Sequence, residues 1–505
     1  MNKKILELMI VFSPCCLLGK TSKVVQGETS KFPNIVFILS DDHSYPYLGC
    51  YGDISARTKS LDKFASEGMK FNLAFTDAPQ SAPSRASMMT GRSPIDVNMS
   101  RFSASLDSEI ITFPEILRNN GYYTGVVGRY YHLDGPFIPD SNTQRVIDKY
   151  NIKSNDARFD FVMTNHKEDK TKVDGKVISL DVNDKNDISE KVVHFLETAD
   201  KNKPYFLWVN FTEPHRSWPF SHHLRKNYNP DDMLLPPDFP DIQSVRHDLV
   251  NFYAELESLD KQFEKVIDVL EKNGSIDNTI IVFMGDNGGA WLRGKGTLYE
   301  RGVHVPLLIK WASKVKPNTE CNELVQGSDL APTLLQAVGL KPDKKMTGKS
   351  FLPLLTGELE DYIPRTAVFN ERGAHAYGLP TSMLDFDLSR SIRTKKYRLI
   401  YNVLWDRPYR PNDIDDYKID FWSDMKELNK EGKLDELHSR LFFSPRRELF
   451  ELYDLESDPY ELNNLSGKEE YKEIELDLKN QLAEWMILQH DFVPLPTEKI
   501  YTPIE

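Results

Sequence analysis

Acidic and amide side chains close behind two apolar runs form the most chemically suggestive set of residues in this sequence. Asp41 and Asp42 follow the run 34–39, and Asp286 and Asn287 follow the run 279–284. Carboxylate and amide oxygens are hard ligands that suit Ca²⁺ or Mg²⁺. Clustered carboxylates repel one another, and a divalent cation removes that penalty. Asp and Asn are also common in turns and at helix N-termini, but two such pairs behind similar runs favour a metal site.

A histidine occupies a comparable position behind a third apolar run. Residues 205–211 are followed by Thr212, Glu213, Pro214 and His215. A single histidine is more often structural than functional. Its place directly after a strand-like run favours a functional role for His215.

A hydroxyl-rich segment with two arginines, residues 80–92, is the third candidate. It can be interpreted as a Ser/Pro loop that enters a short helix, with Ser81 as the cap and Pro83 in the first turn. A helix N-terminus with Arg85 and Arg92 nearby would also suit an anion.

The elements that must position these residues are predicted from the apolar runs. Unbroken runs of this length are typical of strands buried on both faces of a parallel sheet. Ligands of open α/β sheets bind beyond the carboxyl ends of the strands, so the three run ends are expected to form one site. Helical spacing of apolar residues predicts helices over 62–67, 113–119 and 254–272, the last one stopped by Gly274. Beyond about residue 365, strands over 391–403 and 448–454 and a helix over 471–490 indicate a smaller α+β subdomain.

The composition and net charge indicate which classes of protein this chain can belong to. The 505 residues carry 63 Lys and Arg against 76 Asp and Glu, a net charge of −13. This balance disfavours a nucleic-acid partner, which needs a basic face, and an anionic substrate would require a local basic pocket. Cys50 and Cys321 are the body's two cysteines, and we interpret them as unrelated thiols rather than a disulfide.

The N-terminus resembles an export signal over residues 1–22. Lys3 and Lys4 precede a mostly apolar stretch, 5–19, that is too short to span a bilayer. Cys15 or Cys16 is a candidate for lipid attachment, so we expect a protein of the bacterial periplasm or an outer-membrane-associated lipoprotein. No later run is long enough to predict a transmembrane span in the mature protein.

The segment that starts at Ser81 resembles the signature of the type I sulfatases. In that family a Cys or Ser, any residue, Pro, any residue and Arg precede a Thr-Gly pair, and the first position is oxidised to formylglycine. Further matches are Asp41-Asp42, Leu48–Gly52, Gly285–Gly288, Lys295–Gly302, Val305-Pro306 and Asp329–Thr333. The resemblance runs from about residue 32 to the end. It implies an alkaline-phosphatase-like α/β fold, with a large mixed, mostly parallel sheet flanked by helices. We accordingly expect a catalytic domain over 32–370 and a C-terminal subdomain over 371–505.

The resemblance also implies a mechanism for residue 81. A serine hydroxyl is a weak nucleophile, whereas a hydrated aldehyde offers two oxygens. One oxygen attacks sulfur, and the other is later deprotonated to expel sulfate and restore the aldehyde. The serine at position 81 implies a serine-type formylglycine maturase as a partner.

Site roles follow residue by residue from the same resemblance. Arg85 would hold the hydroxyls of residue 81 and Lys295 would contact the sulfate. His215 would contact the sulfate or the leaving-group side, and His132 would be the base. Arg129 stands where the family usually has Lys, which keeps the charge but changes the geometry. The implied metal, usually Ca²⁺ with Mg²⁺ as the alternative, has five implied ligands: Asp41, Asp42, residue 81, Asp286 and Asn287.

The C-terminal motifs favour a particular substrate. The order of Tyr397–Asn402, Arg447–Asp454 and Gln481–Asp491 is similar to that in the heparan N-sulfoglucosamine sulfohydrolases, whereas Lys295–Glu300 has the general O-sulfatase form. We therefore expect a sulfated oligosaccharide substrate with sulfated glucosamine of heparin or heparan sulfate, N-sulfate ahead of O-sulfate. The alternatives are an O-sulfatase for another glycosaminoglycan sugar, a phosphodiesterase or phosphatase of the same superfamily, and an inactive glycan-binding protein.

Sugar contacts are expected from a Gly-containing loop behind a predicted strand. Glu371, Arg372 and His375 stand in this segment. Such a loop would reach the rim of the site, and the alternative is a solvated connection.

Overall fold

Strands with apolar residues on both faces form the centre of the molecule. The computed structural model describes residues 32–102, 104–129, 132–133, 157–164, 171–173, 176–178, 187–218, 221–374, 386–411, 413–415 and 418–496. The predicted signal segment 1–22 and His375 lie outside these ranges. Within them, ten strands make one sheet in the order β11-β2-β10-β9-β1-β8-β4-β5-β6-β7. The strands are β1 (Asn34–Ser40), β2 (Met69–Phe71), β4 (Tyr123–Gly128), β5 (Phe161–Thr164), β6 (Thr171–Val173), β7 (Lys176–Ile178), β8 (Tyr205–Asn210), β9 (Thr279–Gly285), β10 (Leu307–Lys310) and β11 (Thr319–Cys321).

The middle of this sheet is parallel. β1 pairs in parallel with β8 and β9, and β4 pairs in parallel with β8 and β5. β10 and β6 run antiparallel to their neighbours β9 and β5. Every residue of β1, β8 and β9 is buried, which confirms the reading of the three apolar runs as strands covered on both faces.

Helices cover both faces of the sheet. One hydrophobic core lies on each side of it, so alternate residues of β1 belong to different cores: Val36 and Ile38 to one, Ile35 and Phe37 to the other. The helices are α1 (Lys59–Ser66), α2 (Ser81–Thr90), α3 (Phe113–Asn119), α4 (Ile188–Thr198), α5 (Gln243–Asn273), α6 (Glu300–Val303), α7 (Leu330–Ala337) and α8 (Leu352–Thr356). None of the described helices is both long and apolar enough to cross a membrane.

A separate antiparallel sheet forms the C-terminal part of the described chain. It contains β13 (Ala367–Ala374), β14 (Phe386–Thr394), β15 (Tyr397–Asn402) and β16 (Phe450–Asp454), in that order. Of the helices in this region, α9 (Asp420–Lys430) and α10 (Glu436–Phe443) pack into one of the two cores of the large sheet, and α11 (Lys472–Leu488) packs on the C-terminal sheet. A two-stranded pairing joins β3 (Ala74–Phe75) to β12 (Val325–Gln326). The expected architecture, a mostly parallel sheet with a smaller α+β subdomain, is confirmed.

The element bounds differ from the predictions in two instructive places. The long helix begins at Gln243, well before residue 254, and ends at Gly274 in the left-handed conformation, as its stop signal predicted. Glu371 and Arg372 lie inside β13, so placing them in a loop was wrong. The pairing of β13 with β14 runs through these residues to Ala374, with an irregularity in the register between Arg372 and Ala374. Cys50 and Cys321 are free thiols, as predicted.

Candidate functional site

The register of the parallel strands brings their carboxyl ends level with one another. Ser40 at the end of β1 pairs with Gly285 at the end of β9, and Leu39 pairs with Asn210 at the end of β8. Asn210 in turn pairs with Gly128, the last residue of β4. Residues that follow these four strands therefore converge at one edge of the sheet, as the sequence predicted for three of them.

The acidic residues behind β1 and β9 contact one another directly. Asp42 has a φ of 60°, a left-handed conformation that short polar residues tolerate. Its backbone N–H donates to Asp286 Oδ1 at 2.9 Å. The Nδ2 of Asn287 donates to Asp42 Oδ1 at 2.9 Å. Asp41, Asp42, Asp286 and Asn287 are all buried, so they form one interior cluster of oxygen atoms.

Ser81 lies against this cluster. Its hydroxyl is within hydrogen-bonding distance of Asn287 Oδ1 (3.0 Å) and Asp41 Oδ1 (3.3 Å). Ser81 is the first residue of α2 and Gln80 precedes the helix as its cap residue. The expectation that Ser81 caps the helix was therefore wrong, because its hydroxyl is directed to the acidic cluster and not to the helix backbone.

Arg85 joins the strand ends through its guanidinium group. Nε donates to Asp286 Oδ2 at 3.0 Å, Nη2 to Asp41 Oδ2 at 3.1 Å and Nη1 to Asn210 Oδ1 at 2.7 Å. Arg85 stands one turn of α2 after Ser81 and is fully buried. A guanidinium fixed on three sides holds both carboxylates in place.

Two further cations face the aspartates. Arg129 Nε lies 2.7 Å from Asp41 Oδ2. Lys295 Nζ donates to Asp42 Oδ2 at 3.0 Å and lies 2.8 Å from a carboxylate oxygen of Asp413. Lys295 and Asp413 are both buried, so this lysine is an ion-paired group within the site.

Two histidines complete the set. His215 Nε2 is 3.6 Å from Asp42 Oδ2. His132 is buried, has a φ of 56° and packs its ring 4.9 Å from that of Phe102. Burial, followed by the charge of Arg85 for His132 and of Arg129 for His215, holds the pKa of each imidazole well below its ordinary value. Both rings are therefore neutral at pH 7 and able to accept a proton.

The carboxyl groups of the cluster have divergent pKa values. Burial raises the pKa of Asp41, but Arg129 and Arg85 outweigh it and bring that pKa below its ordinary value. Burial raises the pKa of Asp42 to about 6, with Lys295 opposing the shift. Burial and the neighbouring Asp41 charge raise the pKa of Asp286 to about 6. The cluster thus carries more negative charge than its cations fully stabilise.

This donor set fits a hard divalent cation. The carboxylate oxygens of Asp41, Asp42 and Asp286 and the amide oxygen of Asn287 are the ligand types that Ca²⁺ and Mg²⁺ take. A cation would offset the burial and the mutual repulsion that raise the pKa values of Asp42 and Asp286. Ligand atoms of Asp41, Asp42 and His215 lie within 4.8 Å of one another. Imidazole is a poor partner for hard cations, so the histidine is better placed to face a substrate.

The predicted sugar-contact residues make other contacts. Arg372 Nη1 lies 2.8 Å from Asp387 Oδ2. The Glu371 carboxylate is 3.7 Å from Arg390, and both side chains are fully buried. His375 lies outside the described residues, and contacts of this segment with a sugar stay a prediction.

Two residues of the site were missed at the sequence level. Asn210 is the last residue of β8, and its polar side chain near the end of the apolar run 205–211 was the available signal for it. Asp413 lies in a polar stretch far from the other motifs, and no local pattern marks it. Its role depends on how the C-terminal region folds over Lys295.

Comparison with known proteins gives consistent matches. Residues 33–340 match a family model described as Sulfatase. Residues 289–442 match one described as N-sulphoglucosamine sulphohydrolase, C-terminal. The first match covers more than half of the chain and includes the acidic cluster, Ser81, Arg85 and Lys295.

Individual relatives match over nearly the whole chain. An ulvan-active sulfatase of Formosa agariphila is 26% identical over 499 residues, covering 95% of this chain and 79% of that protein. The N-sulphoglucosamine sulphohydrolase of Homo sapiens is 26% identical over 515 residues, covering 94% of each. A solved structure of a protein in complex with its substrate D-glucosamine-2-N,6-O-disulfate has a TM-score of 0.66 at 22% identity, covering 93% of this chain and 100% of that chain. This likeness confirms the alkaline-phosphatase-like fold.

Proposed function

Since the chain belongs to the sulfatase family and is a sulfuric ester hydrolase, we propose that it removes sulfate from sulfated glucosamine of heparin or heparan sulfate. The observation that carries the proposal is the position of Ser81, whose hydroxyl contacts Asp41 and Asn287 beside Arg85 and Lys295. Ser81, which matches the family's oxidisable position, thus lies beside the proposed oxygen ligands and the cations, and this supports the proposal.

The acidic and basic residues of the site have different proposed roles. Asp41, Asp42, Asp286 and Asn287 would hold Ca²⁺, with Mg²⁺ as the alternative. Such a cation polarises sulfate oxygens and neutralises developing charge. Lys295 and Arg129 lie beside these aspartates and stabilise negative charge on the sulfate electrostatically.

Proton transfers fall to the two neutral histidines. An imidazole with a lowered pKa is unprotonated at neutral pH and can act as a base. We assign His132 as the base that acts on residue 81 and His215 as the group that contacts the sulfate or the leaving group. Arg85 donates to three acceptors and holds residue 81 and the aspartates in fixed relative positions.

The active form requires oxidation of Ser81 to formylglycine by a serine-type maturase. The intact mass of the protein from its native host tests this: we expect it to be lighter by two hydrogens than the encoded chain after the N-terminal processing is accounted for. The Ser81→Ala variant from the same host is the control and keeps its encoded mass. A wild-type mass equal to that of the encoded chain would remove the proposed catalytic group.

The substrate proposal is supported by the C-terminal region. The match to the N-sulphoglucosamine sulphohydrolase C-terminal model spans residues 289–442 and includes Lys295 and Asp413, which form an ion pair in the site. The human relative named for N-sulphoglucosamine aligns over 94% of the chain. The runner-up is an O-sulfatase for another sulfated polysaccharide, favoured by the Lys295–Glu300 segment and by the relative named as ulvan-active.

A panel of substrates distinguishes the candidates. The formylglycine form is incubated with N-, 6-O-, 3-O- and 2-O-sulfated sugars, and released sulfate is measured by ion chromatography. We expect the highest kcat/KM for N-sulfated glucosamine. Turnover of only an O-sulfated sugar that lacks N-sulfate would overturn the N-sulfate preference and support the runner-up, and turnover of phosphate esters alone would contradict both.

Export to the periplasm, or to the outer membrane as a lipoprotein, completes the proposal. It rests on the signal-like segment 1–22, with Cys15 or Cys16 as the lipidated residue. Cell fractionation with an antibody to the protein tests the compartment. Recovery of the mature protein from the cytoplasm alone would contradict it.

A further inference from the structure

A cavity of about 450 Å³ beside α10 and β16 is lined by four arginines, and we propose that it binds anionic groups of a glycan chain that extends from the catalytic site. The arginines are Arg293, Arg440, Arg446 and Arg447. Guanidinium groups suit sulfate and carboxylate oxygens because they form paired, charge-assisted hydrogen bonds. The identity of the chain rests on the proposed function, whereas the preference for anions rests on the arginines alone.

Arg447 is held in the wall of the pocket with excess positive charge around it. It donates to both carboxylate oxygens of Asp387, at 2.7 and 2.9 Å. Arg372 lies 2.8 Å from the same carboxylate, so two guanidinium groups share one negative charge. The Nε of Arg447 is buried and, among the described residues, has no hydrogen-bond partner.

Arg293 is also fixed without neutralisation by its hydrogen-bond partners. Its Nη1 and Nη2 donate to the backbone carbonyls of Tyr460 and Glu461 at 2.9 and 2.8 Å. Its guanidinium lies 3.6 Å from the centre of the Tyr299 ring. Carbonyl oxygens and an aromatic face orient the group, and the nearby carboxylates of Glu461 and Asp238 offset part of its charge.

Arg440 and Arg446 form the exposed rim. Arg440 donates to the carbonyl of Leu462 at 3.2 Å, and Arg446 lies over the Trp405 ring at 5.3 Å. Within the described part of the chain, neither forms an ion pair with a carboxylate. Trp405 is 37% exposed, so an aromatic side chain stands beside the rim arginine.

The carboxylates that line the pocket offset only part of this charge. Glu451 accepts hydrogen bonds from Asn402, Tyr299 and Tyr453, at 2.6, 2.8 and 2.6 Å. Glu448 is exposed and is the other acidic residue of the lining. The lining itself has four guanidinium groups and two carboxylates, while Asp387 pairs with Arg447 from outside the lining. The lining therefore has an excess of positive charge on a chain whose net charge is −13.

One loop contributes residues to both the pocket and the catalytic site. Arg293 and Lys295 are two residues apart in the same loop, so their Cα atoms are separated by no more than about 7 Å. A sulfated chain whose terminal sulfate faces Lys295 can present the anionic groups of following sugars to Arg293 and the rim. The pocket therefore acts as a subsite for the rest of the chain.

The experiment measures binding of a heparin octasaccharide by titration calorimetry. It uses the full chain with Ser81 unoxidised, so that the ligand is not consumed. The test variant is Arg440→Gln with Arg446→Gln, and the control is Lys344→Gln with Lys345→Gln, which removes two exposed charges elsewhere. We expect the Kd of the arginine variant to rise at least about fivefold, a factor that shrinks with added salt, and the control to bind as the wild type does.

Further arms identify the ligand group and separate the two proposals. A desulfated octasaccharide that binds equally to wild type and arginine variant assigns the pocket to sulfate, and a loss with both ligands assigns it to carboxylate. In the oxidised enzyme, kcat/KM for a sulfated monosaccharide should be unchanged in the arginine variant. Equal octasaccharide affinity of wild type and arginine variant, or an equal loss in the lysine control, overturns the subsite. Absence of sulfate release with intact binding contradicts the proposed function alone.

Discussion

Charge balance among the site residues explains why so many ionised groups tolerate burial. Among the described residues, the cluster contains three cations (Arg85, Arg129, Lys295) and four carboxylates (Asp41, Asp42, Asp286, Asp413). A divalent cation and one singly charged sulfate ester would bring this set to neutrality. Buried charges are costly unless they are paired, so we expect binding of the proposed metal and binding of the substrate to favour each other.

Replacing Arg85 by Lys tests the fixed guanidinium. Lysine keeps the charge but cannot donate to Asp286, Asp41 and Asn210 at once. We expect kcat/KM for a sulfated substrate to fall by about 100-fold while the fold is kept, as measured by sulfate release and circular dichroism. Arg92→Lys, on a partly exposed arginine paired with Asp96, is the control. Near-wild-type activity of Arg85→Lys would show that charge alone suffices.

Asp413 is expected to position Lys295. Asp413→Asn removes the second negative charge from this lysine and leaves Asp42 as its partner. A small displacement of a group at the reacting centre costs rate steeply, so we expect kcat to fall on the order of tenfold, with a smaller change in KM. Asp415→Asn is the matched control, since that carboxylate pairs with Lys426. Equal kcat values in the two variants would exclude the positioning role.

Without the family resemblance, which supplied Ser81, Arg85, Arg129, His132 and Lys295, the sequence predicted site residues where residue type and strand position coincide. Asp41, Asp42, Asp286 and His215 follow apolar runs, and the runs predict the strands. Asp413 could not be found this way, because its partner Lys295 is brought to it by tertiary packing and not by any local pattern.

At the scale of elements, the strand ends position the candidate catalytic groups, and Gly128 shows how closely neighbouring strands are packed there. Gly128 has a φ of 90°, and a Cβ added there would overlap the carbonyl of Asn210. The next residue, Arg129, donates its N–H to that same carbonyl at 2.8 Å. The glycine thus lets β4 end against β8 and directs Arg129 towards Asp41.

The variants Gly128→Ala and Gly121→Ala distinguish the cost of a positive φ from the cost of a clash between the added Cβ and a neighbouring strand. Both glycines have positive φ, but a Cβ at Gly121 meets nothing within 4 Å. We expect Gly121→Ala to lower the free energy of unfolding by about 1 kcal/mol. Gly128→Ala should cost about 3 kcal/mol or more, because an overlap with backbone adds to the strain. Urea unfolding measures both, and equal losses would show that the Asn210 contact relaxes freely.

Helices and strands that are marked by a pattern of neighbouring residues were predicted best. Unbroken apolar runs predicted β1, β8 and β9 almost to the residue, and Gly274 predicted the end of α5. The start of α5 at Gln243 was missed although Val245, Leu249 and Phe252 lie buried at helical spacing in its first turns. β13 was taken to end before Glu371, because charged residues seldom continue a strand unless tertiary partners such as Asp387 and Arg390 are present.

At the scale of the whole molecule, the C-terminal sheet is joined to the catalytic part by buried polar contacts. Asn370 Nδ2 donates to the carbonyl of Thr76, and Glu371 N–H donates to the carbonyl of Asp77 at 3.0 Å. Arg398, fully buried, forms an ion pair with Glu300 of α6. The sequence predicted a smaller subdomain, but not that its first strand would hydrogen-bond beside β3 a few residues before Ser81.

This junction gives the molecule a specific pH dependence through Glu371. Burial raises the pKa of its carboxyl to about 7, opposed by Arg390 and assisted by Asp491. The folded-state pKa lies above the ordinary 4.5. The protonated Glu371 carboxyl therefore contributes to the free energy of unfolding fully below about pH 4.5, and this contribution is lost as the pH rises through about 7. The loss amounts to about 3 kcal/mol of unfolding free energy. The free energy of unfolding of Glu371→Gln, relative to that of the wild type, should therefore rise between pH 5 and pH 8. Urea unfolding measures this difference. The Glu360→Gln control, at an exposed residue, should show the same pH dependence as the wild type. A constant difference between Glu371→Gln and wild type across that range would show that the carboxyl does not titrate within the fold.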